Sequence, residues 1–327
     1  MVTYNIAVLC GDGIGKETTL EAVKVLKAVG KKYEHIFNIE YFLIGKDAYK
    51  KTGSYFPDFT KNGCDVSDAI LFGAVEKEPL LEIRKRYDFF TNIRPIKGNG
   101  LNITIFRELT GGIYFGESGE KIINGIKKGF YTMEYSEDEI VRIAKAAFNC
   151  AKKTNQHIIS IDKNNALPHI KWRDIVEKVS KDFPNVQLNH LYIDNALMQL
   201  YKNPRKFKIV LISNLFGDIF SDLAAEISGS IGLIPSASLN KDGFGLFEPI
   251  HGTAPDISGK NIANPIASIR AVIMMLEQFK LTTEASSIES AISKILVQYV
   301  TKDMDKKDKK IVGTNKIGSL IAKEILK

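Results

Sequence analysis

An α/β fold with a largely parallel sheet is what this 327-residue sequence predicts, and three observations point there. Apolar strand-like runs alternate with helix-like segments over most of the chain, the pattern that crossover connections leave in a sequence. Ser136–Lys152 carries Ile140, Ile143, Ala144, Ala147 and Phe148 at helical spacing, behind a capping box of Ser136 and Glu139. Residues 93–135 differ. They hold short β-like runs between glycine-rich turns, as expected of a second sheet or a protruding arm.

Tyr4–Cys10 reads as an apolar strand, and Glu17–Val29 as a helix through Leu20, Val23 and Leu26. Asn38–Leu43 and Ala69–Phe72 are further strands. The β-like runs that follow are Ile103–Phe106, Gly112–Phe115 and Gly129–Tyr135. Beyond the capped helix come strand His157–Ile161, helix Ile170–Lys181, strand Gln187–Ile193, helix Asn195–Lys202, strand Phe207–Ile212 and helix Leu215–Ser228. The C-terminal part returns to helices at Ala267–Phe279, Ser287–Val300 and Ile317–Leu326. No repeat or low-complexity linker divides the chain, which favours two intimately connected domains.

Hydrophobic residues make up 44% and charged residues 25%, which excludes a disordered or collagen-like chain. The longest strongly apolar stretch, Ala271–Leu276, falls far short of the ~20 residues that span a bilayer. No secretory signal is visible, so no membrane association is expected. Cys10, Cys64 and Cys150 stand far apart and suit a reducing cytoplasm better than a disulfide framework or a zinc site. The net charge of +7 could serve nucleic acid or an anionic substrate. The densest basic run, Lys306–Lys310, is broken by acids and lacks aromatics, so a solvated surface is expected there and no nucleic-acid partner.

Several motifs carry possible chemistry. Gly11-Asp12-Gly13-Ile14-Gly15 follows a strand and precedes a helix, yet its spacing fits neither a Rossmann loop nor Walker A. By itself it is a tight, glycine-permitted turn at a helix N-terminus. Asp218 and Asp222 stand at i and i+4, which stacks two carboxylates on one helical face. Their repulsion calls for a compensating group, either a hard cation such as Mg²⁺ or Mn²⁺ or open solvent. Arg84, Arg94 and Arg107 sit in apolar neighbourhoods and offer planar forks for carboxylates, although a structural salt bridge explains each alone equally well. Lys163 closes a strand, where an open α/β sheet places its chemistry, or it is an ordinary loop lysine. Tyr135 is a proton donor or packing, and His251 a ligand contact or a satisfied loop histidine.

Taken in order, these motifs are more than the sum of the parts. Gly11–Gly15, Ile83-Arg84-Lys85, Asn92-Ile93-Arg94-Pro95, Arg107-Glu108-Leu109-Thr110-Gly111-Gly112-Ile113-Tyr114-Phe115-Gly116, Asp162-Lys163-Asn164-Asn165, Tyr192-Ile193-Asp194-Asn195, Asn214–Asp222 and His251–Lys260 together resemble the β-decarboxylating dehydrogenases. That family includes the isocitrate, isopropylmalate, homoisocitrate and tartrate dehydrogenases, and Arg107–Gly116 looks most like the isopropylmalate branch. The resemblance runs nearly end to end. The sequence departs from the pattern at Lys16, where proline is usual, at Lys77, where an acidic residue is usual, in an abbreviated Glu76–Pro79 stretch, and in a shortened segment between Arg94 and Arg107.

The resemblance implies a fold that is not a Rossmann domain. Residues 1–90 with 231–327 would form a cofactor-binding domain, and 91–230 a domain for substrate, metal and dimerisation, with an arm from Gly112–Tyr135. It further implies a homodimer with shared active sites. Arg84, Arg94 and Arg107 would hold the carboxylates of a substituted malate. Asp194, reaching across the dimer, would join Asp218 and Asp222 on Mg²⁺ or Mn²⁺ and contact the substrate. Lys163, also from the partner, would help remove the hydroxyl proton, and Tyr135 would protonate the enol carbon. For the cofactor it implies Asn165 near the nicotinamide and the residues Glu248, His251, Gly252, Thr253, Ala254, Pro255, Asp256, Ile257 and Asn264 around the adenosine. Asp256 favours NAD over NADP, because a carboxylate accepts from a ribose 2′-hydroxyl and repels a 2′-phosphate. Leu80 and Leu81, one helical turn before Arg84, with Ala166 of the partner subunit, would meet the C3 substituent. An isopropyl group, and with it leucine biosynthesis, is the expectation. Isocitrate, homoisocitrate, tartrate and a non-catalytic regulatory role are the alternatives, and Lys77 at the pocket mouth would favour an extra carboxylate.

Overall fold

The computed structural model describes residues 1–76, 78–304 and 308–327, so Lys77 and the start of the basic run, Lys306 and Lys307, lie with Asp305 outside the described residues. The chain forms two units. Met1–Tyr87 with Gly229–Lys327 is the terminal unit, and Asp88–Ser228 is the central unit.

The terminal unit begins with β1 (Thr3–Gly11), α1 (Gly15–Tyr33), β2 (Ile36–Tyr41), α2 (Lys46–Thr52), α3 (Asp58–Asp65), β3 (Ala69–Ala74) and α4 (Glu78–Arg86). Both β2 and β3 run parallel to β1. Ile6–Leu9 of β1 and every residue of β3 are buried, which is why these strands read as continuous apolar runs rather than alternating ones.

The central unit contains β4 (Thr91–Gly98), β5 (Leu101–Glu108), β6 (Ser118–Ile123), β7 (Ile126–Tyr131), α5 (Glu137–Thr154), β8 (Ile158–Asp162), α6 (Trp172–Ser180), β9 (Leu188–Tyr192), α7 (Ile193–Lys202), β10 (Ile209–Ile212) and α8 (Asn214–Ser228). Its sheet runs β4-β5-β10-β8-β9. All neighbours are parallel except the antiparallel β4–β5 hairpin. Strand alternation decides what this hairpin presents to each side. Phe106 and Ile93, opposite each other in the ladder, face the apolar cluster of α5 and α6 with Phe148, Trp172 and Val176. Arg107 and its cross-strand partner Asn92 therefore point the other way, toward α8. β6 and β7 form a separate two-stranded hairpin, almost wholly exposed, with Ile122, Ile126 and Tyr131 in solvent.

The chain then returns to the terminal unit with β11 (Pro235–Leu239), β12 (Gly245–Pro249), α9 (Ile266–Gln278), α10 (Thr282–Gln298), the two-residue strands β13 (Tyr299–Val300) and β14 (Lys310–Ile311), and α11 (Thr314–Ile325). β12 pairs parallel with β3 and antiparallel with β11, giving the order β2-β1-β3-β12-β11.

The structure corrects several expectations. Gly112–Phe115 is a turn rather than a strand. Gly112 has φ +80°, and its carbonyl accepts from the N–H groups of Phe115 and Gly116. The run expected over Gly129–Tyr135 ends as a strand at Tyr131. The helix expected from Ile170 starts as a 3₁₀ turn over Pro168–Ile170, breaks at Lys171 with φ +54°, and becomes α6 at Trp172. β4, β11 and β12 were not among the expected strands; Pro235 opens β11, a position where proline is tolerated, Pro249 closes β12, and Pro95 lies within β4.

The capping box is complete. Ser136 Oγ accepts from the Glu139 N–H at 3.2 Å, and Glu139 Oε2 accepts from the Ser136 N–H at 2.8 Å. Ser136→Ala is expected to cost about 1 kcal/mol. Urea denaturation should show this as a lower midpoint at unchanged slope, and an unshifted midpoint would refute the role of the cap.

Candidate active site

The site in the central unit is built on the β5 end and the first turns of α8. Arg107 is fully buried, and its guanidinium is aimed by Asn214, whose Oδ1 accepts from Nε at 3.0 Å and from Nη2 at 2.8 Å. Nη1 donates to Asp218 Oδ1 at 2.5 Å. A Cβ at position 217 would lie 2.8 Å from Arg107 Cγ, so only glycine there lets the arginine pass along α8. Arg94 approaches from β4. Its Nε donates to Asn92 Oδ1 at 2.9 Å and its Nη1 to Ser221 Oγ at 2.6 Å, with Asp218 Oδ1 3.6 Å away. Both arginines thus converge on one carboxylate.

Asp218 also accepts from the Tyr114 hydroxyl at 3.1 Å. Partial burial pushes its carboxyl up, but Arg107, Arg94 and Tyr114 outweigh that and hold it below the ordinary carboxylate value. Asp222, one turn further on, is shifted the other way by partial burial and by the Asp218 charge. Oxygen donors with two negative charges on one face suit a hard divalent cation. Among the described residues no group of three or more His, Cys, Asp or Glu could hold a metal. Asp194 does not join the pair; it accepts from Lys163 Nζ at 2.7 Å.

Tyr135 is fixed against the same helix start. Its hydroxyl oxygen accepts from the Asn214 N–H at 2.9 Å, and its ring meets Trp172 edge-on at 5.9 Å. A Cβ on Gly112 would stand 2.1 Å from that hydroxyl, and one on Gly111 would stand 2.8 Å from the ring. The two glycines of the Leu109–Gly112 turn are therefore a shelf cut to the tyrosine. Burial raises its phenol well above the usual value, so it stays protonated. Tyr135 and Lys163 line one cavity with Met133, Leu167, Trp172 and Phe216. Lys163 follows the carboxyl end of β8, and Asp194 opens α7. The Lys163 contact holds the Asp194 carboxyl below its ordinary value. Asn165 is exposed on the loop beyond Lys163.

The terminal unit gathers the other expected residues. The Gly11–Gly15 turn has φ +72° at Gly11 and +54° at Gly13. A Cβ on Gly13 would lie 2.0 Å from the Thr253 carbonyl oxygen, which accepts from the Ile14 N–H at 2.9 Å. The turn is thus a backbone clamp on the His251–Ile257 loop. His251 is buried, its Nδ1 bonded to the Gly252 carbonyl at 3.0 Å, and burial depresses its basicity so that it is neutral. Gly252, Pro255 and Asp256 are exposed; Ala254, with φ +37°, and Ile257 are half-buried. Just before α9, Asn264 Oδ1 accepts from the Ile266 N–H at 3.1 Å, and its Nδ2 donates to Asp303 at 3.1 Å. Glu248 is the penultimate residue of β12, and its Oε1 lies 4.0 Å from Arg84 Nη2. Leu80 is half-buried on α4 and Leu81 is 37% exposed.

Sequence reasoning missed the residues that hold these groups: Asn92, Tyr114, Asn214, Ser221 and the fully buried Glu108, which accepts from the N–H groups of Thr110 and Gly111. The available signal was a charged pair, Arg107-Glu108, ending an apolar strand, where alternation should leave one of them on an apolar face.

Comparison with known proteins extends this picture. The profile of the isocitrate/isopropylmalate dehydrogenase family matches residues 5–321. The chain is 45% identical over 359 residues to a 3-isopropylmalate dehydrogenase of Haemophilus influenzae, covering 99% of this chain and 100% of that protein. A 3-isopropylmalate dehydrogenase of Clostridium acetobutylicum is 43% identical over 357 residues, with 99% and 100% covered. Both alignments are longer than the chain, as its shortened loops require. Among solved structures, isocitrate dehydrogenase from Methylococcus capsulatus superposes with a TM-score of 0.91 at 28% identity, covering 99% of this chain and 100% of that one. The apo form of a β-decarboxylating dehydrogenase from Thermococcus kodakarensis gives 0.83 at 35% identity, with 98% and 96% covered. A match that runs almost from end to end, to relatives covered over their whole length, leaves no segment apart: the chain belongs to the isocitrate/isopropylmalate dehydrogenase family.

Proposed function

We propose that this protein is an NAD-dependent dehydrogenase that converts 3-isopropylmalate to 4-methyl-2-oxopentanoate and CO₂, a step of leucine biosynthesis. The observation that carries this reading is the convergence of two buried arginines, Arg94 and Arg107, on the Asp218–Asp222 face of α8. Two guanidinium forks beside a pair of carboxylates suit a dicarboxylate bound together with a divalent cation. Relatives covered in full and named for this substrate support the same choice.

The residues divide the work by chemistry. Arg94 and Arg107 bind the substrate carboxylates, with Arg84 as the third guanidinium. Asp218 and Asp222, with Asp194 of the partner subunit in a homodimer, would hold Mg²⁺ or Mn²⁺. When bound, that ion would supply Lewis acidity, and NAD⁺ would be the hydride acceptor. Lys163, which comes with Asp194 from the partner subunit, helps remove the C2 hydroxyl proton. Tyr135 holds the proton that returns to C3 after CO₂ has left. Its oxygen accepts a backbone N–H, so its own proton is directed elsewhere, and burial keeps it in place. Leu80 and Leu81 provide apolar contact for the isopropyl group at roughly 25 cal/mol per Å² buried. Asn165 approaches the nicotinamide. Glu248, the His251–Ile257 loop and Asn264 bind the rest of the cofactor, with Asp256 at the ribose 2′-hydroxyl.

Side-by-side kcat/KM values for 3-isopropylmalate, isocitrate, homoisocitrate and tartrate should favour 3-isopropylmalate, because a buried, unmatched carboxylate loses its hydration. A preference for either tricarboxylate would overturn the leucine assignment. Chelation should abolish turnover and Mg²⁺ or Mn²⁺ restore it. Asp218→Asn, which removes an anionic ligand, should lower kcat/KM by at least the roughly 10–100-fold that outer-shell changes cost. Activity surviving in excess chelator would sink the metal role. NAD should outperform NADP by at least about tenfold, some 1.4 kcal/mol of like-charge repulsion. Asp256→Lys should move the ratio toward NADP, and equal use of both cofactors by the unaltered protein would falsify the assignment.

A further inference from the structure

We infer that Arg173 is a positioning residue for Lys163, bracing at once the strand end that carries the lysine and the strand end that leads to its partner Asp194. Four observations in the central unit carry this. Arg173, in the first turn of α6, grips Asp162 with two prongs, Nε to Oδ2 at 3.1 Å and Nη2 to Oδ1 at 3.2 Å. Asp162 is the last residue of β8, only 3% exposed, and its Oδ1 also accepts from the Asn164 N–H at 2.9 Å. That bond closes a turn whose middle residue is Lys163. The same guanidinium lies 5.0 Å from the ring centre of Tyr192, the last residue of β9, which is paired with Asp162 in the ladder. Tyr192 stands two residues before Asp194, the carboxylate that holds Lys163 Nζ.

A buried aspartate can hold a turn only while its own charge is compensated. Leaving such a charge without its cation is among the costlier single changes in a protein. His190 Nδ1 is 3.8 Å from Asp162 Oδ2, beyond hydrogen-bond reach, so Arg173 is the cation that orients Asp162 among the described residues. Two of the guanidinium nitrogens of Arg173, Nε and Nη2, are engaged by Asp162. It acts through Asp162 and the Lys163 turn. A lysine at 173 would keep the charge but not the two-pronged fork.

The inference rests on the reading that Lys163 moves the substrate proton, so its test needs one readout tied to turnover and one independent of it. Arg173→Gln and Arg173→Lys should be compared with the unaltered protein. Amide hydrogen exchange over residues 162–166 should be faster by about tenfold in Arg173→Gln and intermediate in Arg173→Lys, since protection follows the local opening equilibrium. On 3-isopropylmalate, kcat should fall by roughly 10–100-fold in Arg173→Gln, and less in Arg173→Lys, with the KM for NAD unchanged. Trp172, the only tryptophan, neighbours Arg173 and lines the cavity of Tyr135 and Lys163, so unchanged emission certifies an intact cavity. Unaltered exchange in Arg173→Gln overturns the inference, as does wild-type kcat. A fall in kcat accompanied by a rise in both KM values and a shifted Trp172 emission also overturns it, because that is general loosening. Should the Gln variant fail to fold, Arg173→Lys decides by the same readouts. Absence of turnover in the unaltered protein would remove the reading of Lys163, while the exchange result would still decide whether Arg173 braces the turn.

Discussion

One buried amide ties the central unit together. Asn214 has two donor and two acceptor positions on its side chain, and all four are used: Arg107 Nε and Nη2 on Oδ1, and the Leu109 and Gly111 carbonyls on Nδ2. Its backbone N–H serves Tyr135. Leaving any such group unpaired in the interior costs about 1–3 kcal/mol. The start of α8, the end of β5, the glycine turn and the tyrosine are consequently held as one arrangement. The glycines are the steric counterpart of the amide: Gly217 makes room for the arginine, and Gly111 and Gly112 make room for the tyrosine ring and hydroxyl.

The second organising constraint is charge. Arg94 and Arg107 are buried cations, tolerated because Asn92, Ser221, Asn214 and Asp218 receive them. Their presence keeps Asp218 ionised, and the Asp218 charge in turn disfavours a second negative charge at Asp222. A further cation would relieve that repulsion, and this links the electrostatics of the helix face to the metal chemistry proposed for it. Asp194 lives in a different field, paired with Lys163 at the far end of another strand and helix. Three aspartates that look alike in the sequence thus occupy two electrostatic settings in one chain.

In the terminal unit the constraint is backbone crowding. The Gly11–Gly15 turn touches the Ala74 and Thr253 backbone so closely that no side chain fits at positions 11, 13 or 15. Its spacing had left open whether it is an empty turn or a functional loop. The answer is that it clamps the loop carrying His251 and Asp256, a role no nucleotide-loop pattern would reveal.

The order of strands and helices, the capped α5, the β-rich character of the segment before it, and the motifs with Arg84, Arg94, Arg107, Tyr135, Lys163, Asp194, Asp218 and Asp222 were legible in the sequence. They were legible because periodicity, capping and helical spacing are local, and because the family motifs lie in short continuous stretches. What only the tertiary structure decided are pairings between residues far apart in the chain: Asn214 on Arg107, Tyr135 on the Asn214 backbone, Thr253 on Ile14, Arg173 on Asp162. The strand limit at Pro249, the strand running through Pro95, and the turn at Gly112 belong with them, since ladder register and left-handed φ are settled by neighbouring strands and not by composition. Sequence spacing reports which residues share a face of one element. Which face meets which depends on how the elements pack, and that is a property of the folded chain alone.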